Sequence, residues 1–119
     1  MSGRVVAVGH VGLRARDLDR LARFYRDTVG LKQSVYYANV VAIFEVGDVD
    51  VFLSPGEAAE APFDLAADDV DALRDRLVAA GVTCEESRDN KTTGHRGFAF
   101  TDPDDNRVRV TNAHPRVRA

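Results

Sequence analysis

The chain has 119 residues, 45% of them hydrophobic, enough for one domain or for two half-size modules that share one core. Its formal net charge of −3 argues against nucleic acid as the main partner, because phosphate binding runs on concentrated Lys and Arg. Cys84 is the single cysteine, so no intrachain disulfide can form and a cytoplasmic setting is expected. The apolar run from Val5 to Leu13 is too short for a membrane span, contains His10 and leads to no small-residue cleavage site. It reads as part of a first strand over Arg4 to Ala15, and no membrane partner is expected. Asp17 then takes a helix N-cap position, and Leu18, Leu21, Ala22 and Tyr25 follow at the spacing of one buried stripe until Gly30 closes the helix. A strand over Lys32 to Tyr37 follows. Asn39 to Val46 and Val49 to Leu53 make a hairpin around Gly47-Asp48.

The second half repeats this order after a connector rich in proline, glycine and carboxylates at 55–61. A short strand over Phe63 to Ala66 leads to a helix from Val70 to Ala80, capped by Asp69, striped by Val70, Leu73 and Leu77, and stopped by Gly81. Strands are expected near Val82 to Ser87, Gly97 to Thr101 and Arg107 to Thr111. The polar loop from Arg88 to His95 is long enough to border a site, and Asp102 to Asn106 has the chemistry of a turn. The basic tail Arg116-Val117-Arg118 reads as solvated. Aligning Asp17 with Asp69 gives an offset of 52 residues that pairs His10 with Pro62; the offset falls to 51 at Gly30 and Gly81. Such a slipped repeat points to an old duplication, with module one at 4–54, module two at 62–112 and a tail at 113–119.

The motifs G-H-V-G-L-R at 9–14, D-L-D-R-L-A-R-F-Y at 17–25, V-G-L at 29–31, D-D-V-D at 68–71 and R-G-F-A-F-T-D-P-D-D-N at 96–106 carry a resemblance. Together they resemble the vicinal oxygen chelate superfamily, which includes glyoxalase I, extradiol dioxygenases, fosfomycin-modifying enzymes and the bleomycin resistance proteins. The resemblance implies an α+β fold in which two βαβββ modules form curved mixed sheets around a cavity, often completed by a second copy of the chain. It also implies a divalent metal held by His and Glu side chains, with open positions for two substrate oxygens. Carried over position by position, those ligands fall on His10, Phe52, Pro62 and Arg109, of which only His10 has a donor. No metal and no other cofactor is therefore expected.

Alternation along the strands extends the list of cavity-facing residues. From His10 it adds Gly12 and Arg14; from Phe52, Asp50 and Ser54; from Pro62, Asp64; from Arg109, Arg107 and Thr111. Asp50, beside the hairpin turn, reads as a solvated rim residue. His10 is either a strand histidine satisfied by a polar neighbour or a ligand-facing donor or base. Either Arg109 pairs with Asp64, or failing that Asp50, and fills the old metal space, or Arg109 or Arg107 binds an anionic or carbonyl group of a small molecule. In the second case Phe52 and Phe44 cover the flat part of a ligand. Phe98 and Phe100 share one face, which the sequence leaves open. His95 and His114 read as surface histidines.

Two functions follow. One is a metal-independent, bleomycin-resistance-like homodimer that sequesters a planar or amphipathic small molecule, with His10, Phe44, Phe52, Asp64, Arg107 and Arg109 around it. The other is an enzyme without a metal, an isomerase, cyclase or lyase, with His10 or Asp64 as base and Arg109 stabilising an oxyanion. An ordinary metal-dependent glyoxalase or dioxygenase comes third.

Overall fold

The computed structural model describes residues 3–5 and 7–112; the tail 113–119, with His114 and the basic Arg116-Val117-Arg118, lies outside the described residues. Among them the chain forms β1 (His10–Ala15), α1 (Leu18–Arg23), a π-helical segment (Phe24–Val29), β2 (Lys32–Tyr37), β3 (Val41–Val46) and β4 (Val49–Pro55). Module two supplies β5 (Glu60–Ala66), α2 (Val70–Ala79), β6 (Thr83–Cys84), β7 (Arg88–Asp89), β8 (Arg96–Thr101) and β9 (Arg107–Thr111). The first sheet has the order β1-β4-β3-β2 and the second β5-β9-β8-β6, with β7 also on β8. In both, the opening strand runs parallel to the last and the rest is antiparallel. The duplication expected from the helix caps is thus repeated in the strand order.

Both caps form as the sequence requires: Asp17 accepts from the Arg20 N–H and Asp69 from the Ala72 N–H. Gly30 adopts φ 90°, a left-handed conformation that favours glycine, and its N–H reaches back to the Tyr25 carbonyl. Several boundaries differ from expectation. The first strand begins at His10, near the start of its partner: in the parallel register, His10 opposite Asp50, β4 extends only one residue further back, to Val49. β5 begins earlier than expected, at Glu60, which lies opposite Arg107. The strand expected near Val82 to Ser87 shrinks to Thr83–Cys84. The loop expected over Arg88 to His95 contains β7, followed by a turn in which the Asn90 side chain accepts from the Thr92 and Thr93 N–H groups.

Each sheet buries one face. Leu13, Ala15, Ala42, Phe44, Val51 and Leu53 line that face in the first sheet, and Leu65, Phe98, Phe100, Val108 and Val110 in the second. With Leu18, Leu21, Tyr25, Val70 and Leu77 from the helical segments they form one continuous core spanning both modules. The buried turn after β8 staples the modules together. Asp104 accepts from the Asp17 N–H and pairs with Arg20, while Asn106 donates to the Arg14 carbonyl and accepts from the Ala59 N–H. No helix among the described residues is long and apolar enough to cross a membrane.

Tyr25 is 1% exposed and donates its hydroxyl proton to Asp102 at 2.8 Å. Burial first, then the Asp102 charge and this hydrogen bond, hold the phenol well above its usual range. The native state keeps a proton that the unfolded chain releases near pH 10, so stability falls as pH rises beyond that value, by up to about 1.4 kcal/mol per pH unit. Urea titrations between pH 8 and 11 should show this loss, and Tyr25→Phe should flatten it. An unchanged alkaline slope in the variant would remove Tyr25 as its source.

Candidate functional site

The faces opposite the core carry the polar and aromatic side chains. On the first sheet, β1 and β4 bring the exposed His10 onto the ring of Phe52, stacked at 4.3 Å between centroids and 18° between planes. On the second, parallel pairing sets Asp64 opposite Arg109, and the Arg109 Nε lies 2.8 Å from the Asp64 carboxylate. Asp64, and not Asp50, is therefore the partner of Arg109. The edge strands β1 and β5 approach each other at the module junction without pairing. A cleft of about 660 Å³ lies over the second face, lined by residues of β5, β8, β9 and the 85–96 segment.

One of the expected ligand contacts is corrected, and a second, Arg107, lines the cleft with its guanidinium engaged by carboxylates. Phe44 is fully buried on the core-facing side of β3, its ring centroid 6.5 Å from that of Tyr25, so it packs under the helix and does not reach the open face. Its register already carried that information: in the hairpin Phe44 lies opposite Val51, whose face is apolar. Arg107 is spent on carboxylates. Its Nε and Nη2 donate to the two oxygens of Glu85 at 2.7 and 2.9 Å, and its Nη1 donates to Glu60. This fork holds the guanidinium proton more firmly than usual and pulls the Glu85 carboxyl below its ordinary range.

Phe98 and Phe100 face the core, opposite Val110 and Val108 on β9. The intervening Gly97 and Ala99 line the cleft instead, as do Arg88 and the half-buried His95. His95 was readable only as a surface histidine because it lies just ahead of β8, whose place is set by pairing with β7 and β9, which no local pattern reveals.

The donor set does not suit a resident cation. Of the four positions implied by the resemblance, Phe52 and Pro62 have no donor, Arg109 offers a guanidinium directed at Asp64, and His10 has its ring flat against Phe52. Among the described residues no group of three or more His, Cys, Asp or Glu side chains converges in a way that could hold a metal ion.

Known proteins place this architecture. No curated protein matches the chain. Among solved structures, lactoylglutathione lyase from Agrobacterium tumefaciens superposes with a TM-score of 0.78 at 24% identity, covering 91% of this chain and 94% of that one. TnmS3, an antibiotic binding protein from Streptomyces sp. CB03234, gives 0.77 at 23% identity, covering 92% and 97%. A superfamily member from Sphaerobacter thermophilus DSM 20745 gives 0.79 at 19% identity, covering 90% and 97%. At these identities the likeness is one of fold. The family model, by contrast, matches residues 7–110, nearly the whole of both modules. The chain belongs to the Glyoxalase/Bleomycin resistance protein/Dioxygenase superfamily.

Proposed function

We propose that this protein binds a planar or amphipathic small molecule without a metal and sequesters it, with His10, Phe52, Asp64 and Arg109 in contact with the ligand. The observation that carries this reading is the pair of substitutes at the cation positions: an imidazole stacked on a phenyl ring and a guanidinium tied to a carboxylate. A stacked aromatic pair offers a flat apolar surface to a flat ligand, and the half-exposed Asp64–Arg109 pair on the second sheet offers polar groups to orient it. The fold shared with an antibiotic binding protein is consistent with this use. The reading includes a homodimer. β1 and β5 are sheet edges with unpaired backbone groups, and Val5 and Val8, just ahead of β1, are 97% and 62% exposed.

A metal-free enzyme is less well supported, since the Asp64 carboxylate is tied to the Arg109 Nε and is not a free base. One experiment separates the readings. After exhaustive chelation, a thermal-shift screen of planar aromatic compounds should still find a stabilising ligand, which at about 100 times its Kd adds roughly 2.7 kcal/mol. The ligand should be recovered unchanged, and light scattering at micromolar concentration should give twice the chain mass. Turnover of the ligand, or binding that disappears with the chelator, would overturn the reading; a monomer mass would overturn the dimer.

A further inference from the structure

The open face of the second sheet is built unlike that of the first. Pairing of β7, β8 and β9 sets Arg88 opposite Gly97, Gly97 opposite Thr111, and Ala99 opposite Arg109. The middle strand therefore presents almost no side chain to the cleft. At Gly97 a Cβ would come 2.7 Å from the Val110 carbonyl oxygen, so the position admits glycine without displacing β9. Ala99, on the same face, is 2% exposed, so neighbouring side chains already cover its methyl group and the accessible bare strand is at Gly97. The result is a patch of open backbone beside two arginines.

Those two arginines are the ones with donors to spare. Arg109 uses its Nε on Asp64, and its terminal amino groups have no partner among the described residues. The Arg88 side chain forms no hydrogen bond or ion pair with a described residue, its backbone being paired with β8. Two strand spacings across and two residues along separate their Cα atoms by about 12 Å. The cleft is lined by four carboxylates and four guanidinium groups, so it has no excess charge to hold a polyanion. It suits a single negative charge that matches the flat fork of a guanidinium.

We propose that this patch is the ligand subsite and that the ligand is a flat aromatic carboxylate: its rings lie over the Gly97 backbone, its carboxylate takes the terminal amino groups of Arg109, and an oxygen at its far end meets Arg88. The inference rests on the small-molecule reading above and narrows its ligand class.

Calorimetric titration of the intact protein with 6-hydroxy-2-naphthoate and with the neutral 6-hydroxy-2-naphthamide tests it. The acid should bind at least tenfold more tightly than the amide, and the amide resonances of Gly97 and Ala99 should shift as it is added. Arg109→Gln and Arg88→Gln should each remove most of that preference. Arg23→Gln, which loses the same charge on the exposed side of α1, should keep it. Equal binding of acid and amide would overturn the carboxylate assignment and leave the planar-ligand reading standing. A preference that survives Arg109→Gln would overturn the assignment of the subsite. Binding of neither compound at millimolar concentration would overturn both.

Discussion

Asp102→Ala should lower the free energy of unfolding by about 3–5 kcal/mol, read as a fall in urea midpoint at pH 7. Asp102 is 3% exposed and accepts four hydrogen bonds: from the Tyr25 hydroxyl at 2.8 Å, from the Asp104 and Asn106 N–H groups at 3.0 and 2.9 Å, and from the Asn106 side-chain amide at 2.9 Å. Alanine leaves these donors buried without an acceptor, and each orphan costs roughly 1–3 kcal/mol. The relief of burying one carboxylate, whose pKa burial raises above its ordinary value, offsets part of that loss. Asp102→Asn keeps an acceptor for the backbone N–H groups but turns an NH₂ toward the remaining donors, so its loss should be smaller, about 1–2 kcal/mol. An alanine variant within 1 kcal/mol of the parent would show that water reaches the turn and replaces the carboxylate.

The same turn marks the limit of what the sequence discloses. Local chemistry was enough for its backbone: Asp105 adopts φ 73°, as an aspartate in a turn can. The burial of Asp102, Asp104 and Asn106 was not legible, because their partners Tyr25, Asp17 and Arg14 lie more than seventy residues away. The helix caps at Asp17 and Asp69 are local and were read correctly. The π-helical segment was not, since it is held from a distance: Tyr25 is pinned by Asp102, and the Arg76 guanidinium of α2 donates to the Thr28 and Val29 carbonyls.

For the site, alternation on β9 correctly put Arg107, Arg109 and Thr111 on one face and Val108 and Val110 on the other. Alternation cannot say which arginine is free, because that depends on Glu60 arriving from β5 and Glu85 from the segment after β6. Nor could it orient Phe98 and Phe100 without the pairing to β9. With that pairing, the placement of Gly97 and Ala99 on the opposite face follows at once.

That alternation also makes β8 the strand that separates the core from the cleft, and Phe100→Ala tests its core side. Phe100 is 1% exposed, with its ring centroid 6.0 Å from that of Phe24 and 6.4 Å from that of Tyr25, so a module-two side chain fills space beneath the helix of module one. Truncation should cost about 3–5 kcal/mol and lower the melting temperature by roughly 10–20 °C. The chain has three tyrosines and no tryptophan, and Tyr25, Tyr36 and Tyr37 all belong to module one. Tyrosine fluorescence therefore follows module one alone, while far-ultraviolet circular dichroism follows the whole chain. In Phe100→Ala both signals should melt together at the lowered temperature, since one core joins the modules and unfolding is cooperative. A tyrosine transition left at the parent temperature while the dichroism falls would show that the modules unfold separately and that the shared core does not couple them.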